Sequence, residues 1–151
     1  MLQLAASRDA VEAVNVLMDS GSLKDINATN AVGETALHTA CQHGLHTLEA
    51  LLADSRLDVN VENGEGNSPL HMLALRGDGV EAIKLLLAHR ADPNRKNKKG
   101  NTPLHIAAAL GLVDTVRTLI SAGASPSTEN DDGLTPADMS SQNEVLDCLK
   151  L

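Results

Sequence analysis

Apolar residues recur along this chain in short bursts at helical spacing, separated by polar stretches. Val11, Val14, Leu17 and Met18 form one stripe; Leu48, Leu51 and Leu52 a second; Ile83, Leu86 and Leu87 a third; Val113, Val116, Leu119 and Ile120 a fourth. Steps of three and four residues put these side chains on one face of a helix, so each stripe predicts a helix with one buried side. Ahead of the later stripes stands a recurring block: Gly33-Glu-Thr-Ala-Leu-His38, Gly66-Asn-Ser-Pro-Leu-His71, Gly100-Asn-Thr-Pro-Leu-His105, and a degraded copy, Gly133-Leu-Thr-Pro-Ala-Asp138. The blocks are 33, 34 and 33 residues apart. A fixed period of that size predicts stacked supersecondary units, each burying its apolar face against its neighbours, in place of one globular core. An amphipathic stripe also suits a membrane surface or a partner helix, but recurrence at the repeat period favours packing.

Residues 97–129 form the clearest copy. Gly100 sits where a tight finger needs a positive φ, Thr102 can cap a helix with its hydroxyl, and Pro103 occupies the first helical position, where a missing N–H costs nothing. A first helix then starts at Leu104, with Ala107 and Ala108 small enough for close approach. Gly111 turns the chain into the second helix, and Gly123 closes it.

The Gly-x-[Thr/Ser]-Pro-Leu-His block, a glycine expected to close the first helix of each internal repeat (Gly44, Gly77 and Gly111), and the endings Asp58-Val-Asn60 and Asp92-Pro-Asn94 resemble the ankyrin repeat over essentially the whole chain. The resemblance implies an all-α repeat solenoid of stacked antiparallel helix pairs with β-hairpin fingers. It forms a single domain, 1–151, of about five repeats: a partial 1–29, then 30–62, 63–96, 97–129 and a partial cap 130–151. Leu2-Gln-Leu-Ala-Ala6 reads as the first helix of a unit without its finger. In the last unit Asp138, Ser140 and Ser141 make a more polar, cap-like layer. A segment of a longer protein and a complete chain fit these ends equally. Two features depart from the family pattern. Arg56 and Arg90 stand where the second helix usually ends in Gly, which implies a left-handed residue at each. Asp78-Gly79 and Ser22-Leu-Lys24 lengthen two connections and are expected as surface loops.

Composition narrows the function. The chain has no Phe, Tyr or Trp, so it lacks the usual platforms for stacked bases and aromatic cages. Twenty acidic residues against twelve basic ones give a formal charge of −8, which disfavours a phosphate backbone as a direct partner. Cys41 and Cys148 lie about three repeats apart, beyond the roughly 7 Å that a disulfide spans. Free thiols, with no signal peptide or membrane span in the sequence, lead to the expectation of a cytoplasmic or nuclear protein.

Six histidines raise the question of metal or catalysis. His38, His71 and His105 share the last place of the recurring block, where the resemblance implies hydrogen bonds within and between loops. They are about 10 Å apart at one repeat per step, too far to share an ion bound at roughly 2.0–2.3 Å. His43 and His46 with Cys41 make at most an adventitious metal site. No phosphate loop, nucleophile elbow or Cys/His frame is present, so no catalytic residue, metal, cofactor or enzymatic activity is expected.

The resemblance therefore places function on the finger tips and the outer positions of the first helices, as a surface that binds another protein, with the chain a monomer. The implied partner-binding residues are Glu34, Gln42, His43, Glu65, Asn67, Leu75, Arg76, Lys98, Lys99, Asn101, Leu110, Asp131 and Asp132. Charge alternates along the fingers: Glu62 and Glu65, then Arg95, Lys96, Lys98 and Lys99, then Glu129, Asp131 and Asp132. Charged tips are ordinary solvated surface, but the basic finger also suits an acidic or phosphorylated segment, with Leu75 and Leu110 as an apolar floor. Asn60 and Asn94 match hairpin asparagines that asparaginyl hydroxylases modify in related repeats. The role is that of inhibitor, scaffold or adaptor, or alternatively a regulatory or targeting segment of a larger enzyme, channel or transcription regulator.

Overall fold

A computed structural model describes residues 1–8, 10–20 and 25–150. Among the described residues there are nine helices: α1 (Leu2–Ser7), α2 (Val11–Asp19), α3 (Ala36–His43), α4 (Leu45–Leu52), α5 (Pro69–Ala74), α6 (Val80–Ala88), α7 (Pro103–Ala109), α8 (Val113–Ser121) and α9 (Asn143–Leu149). They pair as α1/α2, α3/α4, α5/α6 and α7/α8, and the pairs stack into two layers. The inner layer runs α1, α3, α5, α7; the outer runs α2, α4, α6, α8, α9. One continuous core lies between them, built from aliphatic residues such as Leu37, Leu48, Leu70, Ile83, Leu104 and Leu119, with the small Ala40, Ala74 and Ala108 buried among them. Val14, Leu48, Leu51, Leu52, Ile83, Leu86, Val116 and Leu119 of the four stripes are buried, so the periodicity marks the core face.

The inner helices start where the block places them. Thr35, Ser68 and Thr102 close capping boxes, and Pro69 and Pro103 open α5 and α7. The expected β-hairpins are tight turns, since no strand occurs among the described residues. Each finger closes on itself over five residues, as when Asn63 N–H donates to the Asn67 carbonyl at 2.9 Å, which leaves no length for a ladder.

Other expectations fare differently from place to place. Gly44 closes α3 as its cap, in extended backbone with φ −173°, and joins it directly to α4. Gly77 closes nothing, because α5 already ends at Ala74 with Leu75 as its cap. Gly79 is buried at the start of α6 while Asp78 is exposed; Ser22–Lys24 lie outside the described residues. Arg90 does adopt φ 69°, but Arg56 does not enter the left-handed region. There α4 ends two residues earlier in its repeat than α6 does. Asp54 accepts the Arg56 N–H at 2.9 Å and pairs with its guanidinium, which holds the Asp54 carboxyl down at about 2. In the last unit Pro136–Met139 form turns in place of a first helix.

Candidate functional site

Four fingers share one construction: Asn30–Glu34, Asn63–Asn67, Asn97–Asn101 and Asn130–Leu134. The leading asparagine uses its Oδ1 twice, accepting the N–H groups two and four residues ahead; for Asn97 these are Lys99 at 3.0 Å and Asn101 at 3.1 Å. The glycine three residues on turns left-handed, with φ between 72° and 78° in all four. Its missing side chain also admits the next finger: a Cβ on Gly33 would lie 2.6 Å from Gly64 N. Successive fingers are then tied by backbone bonds, Gly64 N–H to Val32 O at 2.9 Å, Lys98 N–H to Glu65 O at 3.1 Å and Asp131 N–H to Lys99 O at 3.2 Å. Asn30, Asn63, Asn97 and Asn130 keep the glycine period and escaped the sequence reading because asparagine has several turn roles.

Below the fingers runs a ladder of imidazoles. His71 Nδ1 accepts the Ser68 N–H at 3.1 Å, so the proton sits on Nε2, which donates to the Asn101 carbonyl of the next finger at 2.9 Å. His38 reaches Asn67 O and His105 reaches Leu134 O in the same way. Each histidine therefore caps its own helix and fastens the following finger. Burial lowers the pKa of all three, against the raising effect of the carbonyl that each one meets. Gln3 occupies the corresponding place in α1, and its Nε2 donates to Glu34 O and Ala28 O. Nothing in its flanking sequence marked it.

A second ladder uses Asn27, Asn60 and Asn94. Asn60 Nδ2 donates to Arg90 O at 3.2 Å and its Oδ1 accepts the Asp92 N–H at 2.8 Å; Asn94 bonds Gly123 O and Ser125 N–H likewise. Both amide functions of the two hydroxylation candidates are thus engaged between repeats.

The remaining candidates divide. Glu65, Asn67, Leu75, Lys98, Lys99 and Asn101 come together with Gly64, Asn97 and Ile106 around an open cleft of about 410 Å³ between the second and third fingers. Asn67, only 7% exposed, accepts Asn97 Nδ2 at 2.8 Å and donates to Glu65 at 3.1 Å. Asn101 accepts Asn130 Nδ2 at 2.7 Å. Arg76 is a strap: it pairs with Asp78 and donates to the carbonyls of Cys41 and Gln42, joining the ends of two inner helices. Glu34 accepts Gln42 Nε2 at 3.3 Å. Gln42, His43, Leu110, Asp131 and Asp132 are exposed but lie outside the cleft.

Cys41 is buried, which raises its thiol pKa, whereas His43 and His46 are exposed. Among the described residues no group of three or more His, Cys, Asp or Glu is placed to hold a metal ion, and no helix is long and apolar enough to cross a membrane.

Comparison with known proteins agrees with this architecture. A family model of ankyrin repeats (3 copies) matches residues 2–97, 45–130 and 72–151. Ankyrin repeat protein 14 of vaccinia virus (strain Western Reserve) is 36% identical over 67 residues, 44% of this chain and 28% of that protein. The mouse B-cell lymphoma 3 protein homolog is 32% identical over 123 residues, 79% of the chain and 27% of that protein. The probable E3 ubiquitin-protein ligase XBOS33 of rice is 35% identical over 88 residues, 58% of the chain and 16% of that protein. The chain thus spans less than a third of each relative. With a repeat period, capping boxes in the three central units and a family model that covers residues 2–151, the protein belongs to the ankyrin-repeat family.

Proposed function

We propose that this chain is a non-catalytic module that holds another protein on its fingers and inner-helix ends. Ankyrin repeats generally mediate protein–protein interaction, and this surface has the makeup for it. The carrying observation is where the stack leaves most of its large apolar side chains uncovered: Val32 and Leu134 on fingers, Leu75 and Leu110 at the ends of α5 and α7, and Leu4 on α1, against Val16 and Leu45 on the outer layer. Water-exposed leucines repeated along one side, beside fingers locked by backbone bonds, make a pre-ordered surface whose burial favours association. Five units, the two terminal ones partial, supply its length, and the bound role is that of inhibitor, scaffold or adaptor. A second reading, a targeting segment within a longer regulator, draws support from the relatives, in which the matched region is a minor part.

The test compares proteins captured from cell extract by the immobilised chain, by Leu75→Asp/Leu110→Asp, and by Lys84→Glu on the outer layer. The reading expects at least one stoichiometric partner lost only with the leucine double variant. Partners that survive that variant and vanish with Lys84→Glu would contradict it.

A further inference from the structure

Four basic side chains crowd the third finger and its stem, and three of them are engaged within the stack. Arg95 pairs with Glu62, Lys96 Nζ donates to Glu129 O at 2.8 Å, and Lys98 Nζ crosses to Gly64 O at 2.8 Å. Lys99 is exposed, and its ammonium has no partner among the described residues. It stands at the cleft whose floor includes Leu75, 51% exposed, and Ile106. The opposing carboxylate at this cleft, Glu65, already receives Asn67 Nδ2. Two ammoniums therefore face one partly satisfied carboxylate, a local reversal of sign on a chain of net charge −8.

Resting on the interaction-face reading, we propose that this cleft takes an extended segment of a partner protein in which an aliphatic side chain is followed by carboxylates. The aliphatic group covers Leu75 and Ile106, and a carboxylate meets Lys99 Nζ, with Lys98 adding a second charge. The second and third fingers are hydrogen-bonded to each other and line one cleft with Leu75 and Ile106, so the apolar and acidic groups fall within one short extended stretch. Charge of this kind sets orientation and encounter rate, while the covered leucine supplies contact area.

The probe is an acetylated, amidated heptapeptide, Gly-Ser-Leu-Asp-Asp-Ser-Gly, titrated into the isotope-labelled full chain by NMR at low salt. Saturable shifts at the amides of Leu75, Lys99 and Ile106 are expected, weakening as salt rises. Lys99→Glu, checked for an unchanged thermal midpoint, should bind about tenfold more weakly, and Lys84→Glu should bind equally. No saturable shift at the cleft, or equal affinity for Lys99→Glu, overturns the proposal. Binding by the version with lysines for aspartates, but not by the acidic one, overturns the assigned charge and leaves the interaction face standing. Shifts confined to α6 and α8 contradict both.

Discussion

The two ends of the stack each keep one half of what its middle does with a single residue. In the central repeats His38, His71 and His105 cap the helix through Nδ1 and fasten the next finger through Nε2. At the C-terminal end Asp138 keeps only the local task, accepting the Thr135 N–H at 2.8 Å and its hydroxyl at 2.7 Å, and Pro136–Met139 do not extend into a helix. At the N-terminal end Gln3 keeps only the outward task, reaching Glu34 O, and α1 begins without a side-chain cap. Imidazole alone offers an acceptor and a donor on opposite edges of a rigid ring, which is why it occupies each interior rung.

Removing both halves at once has the largest expected effect. His71→Ala strips a cap and a link from the centre and takes from the Asn101 carbonyl one of its two donors, leaving the Asn97 N–H, a loss of about 2–3 kcal/mol in urea unfolding. The finger glycines give the next contrast. Gly100→Ala combines left-handed backbone with a Cβ 2.5 Å from Asp131 N and should cost about 2–3 kcal/mol. Gly133→Ala, with φ 75° and nothing within 4 Å, should cost about 1 kcal/mol. Equal losses would mean that the fingers are not stacked in contact.

Mimicking the ends sharpens the comparison. His71→Gln restores the outward link and His71→Asp the cap, so each should cost about half of the alanine loss. Acid acts through the same rungs. Because burial lowers the folded pKa below the ordinary 6.5, the unfolded chain takes up protons first. Stability is therefore complete above about pH 6.5 and falls as pH drops toward the lowered folded values. His71→Gln should reduce the stability difference between pH 7.5 and 5.5, since it deletes one of three such groups. The smallest effect belongs to Arg90→Gly, which relieves φ 69° and should raise stability by up to about 1 kcal/mol. Arg56→Gly, where φ is not left-handed and the guanidinium pair with Asp54 is lost, should bring no gain.

Much of this was legible because it is local. Glycine with a positive φ, Thr-Pro at a helix start and a leucine stripe each follow from the residue's own geometry, and all keep the repeat period. The inter-repeat bonds were less so. Gln3 lies in a segment without its finger, Asn67 looked like an exposed tip until Asn97 reached it, and Arg76 read as a groove cation while it straps two helix ends. Arg56 shows the same limit: α4 stops at Leu52, and Asp54 accepts the Arg56 N–H in a turn that leaves Arg56 outside the left-handed region.

The account depends most on fingers that are fastened to one another and so present a fixed surface. Amide hydrogen exchange measured by NMR tests this directly at Gly64, Lys98 and Asp131, whose N–H groups donate to the preceding finger. All three should exchange at least about tenfold more slowly than unstructured amides, and Lys98 should lose that protection in His71→Ala. Exchange at the unprotected rate in the folded wild-type chain would contradict it.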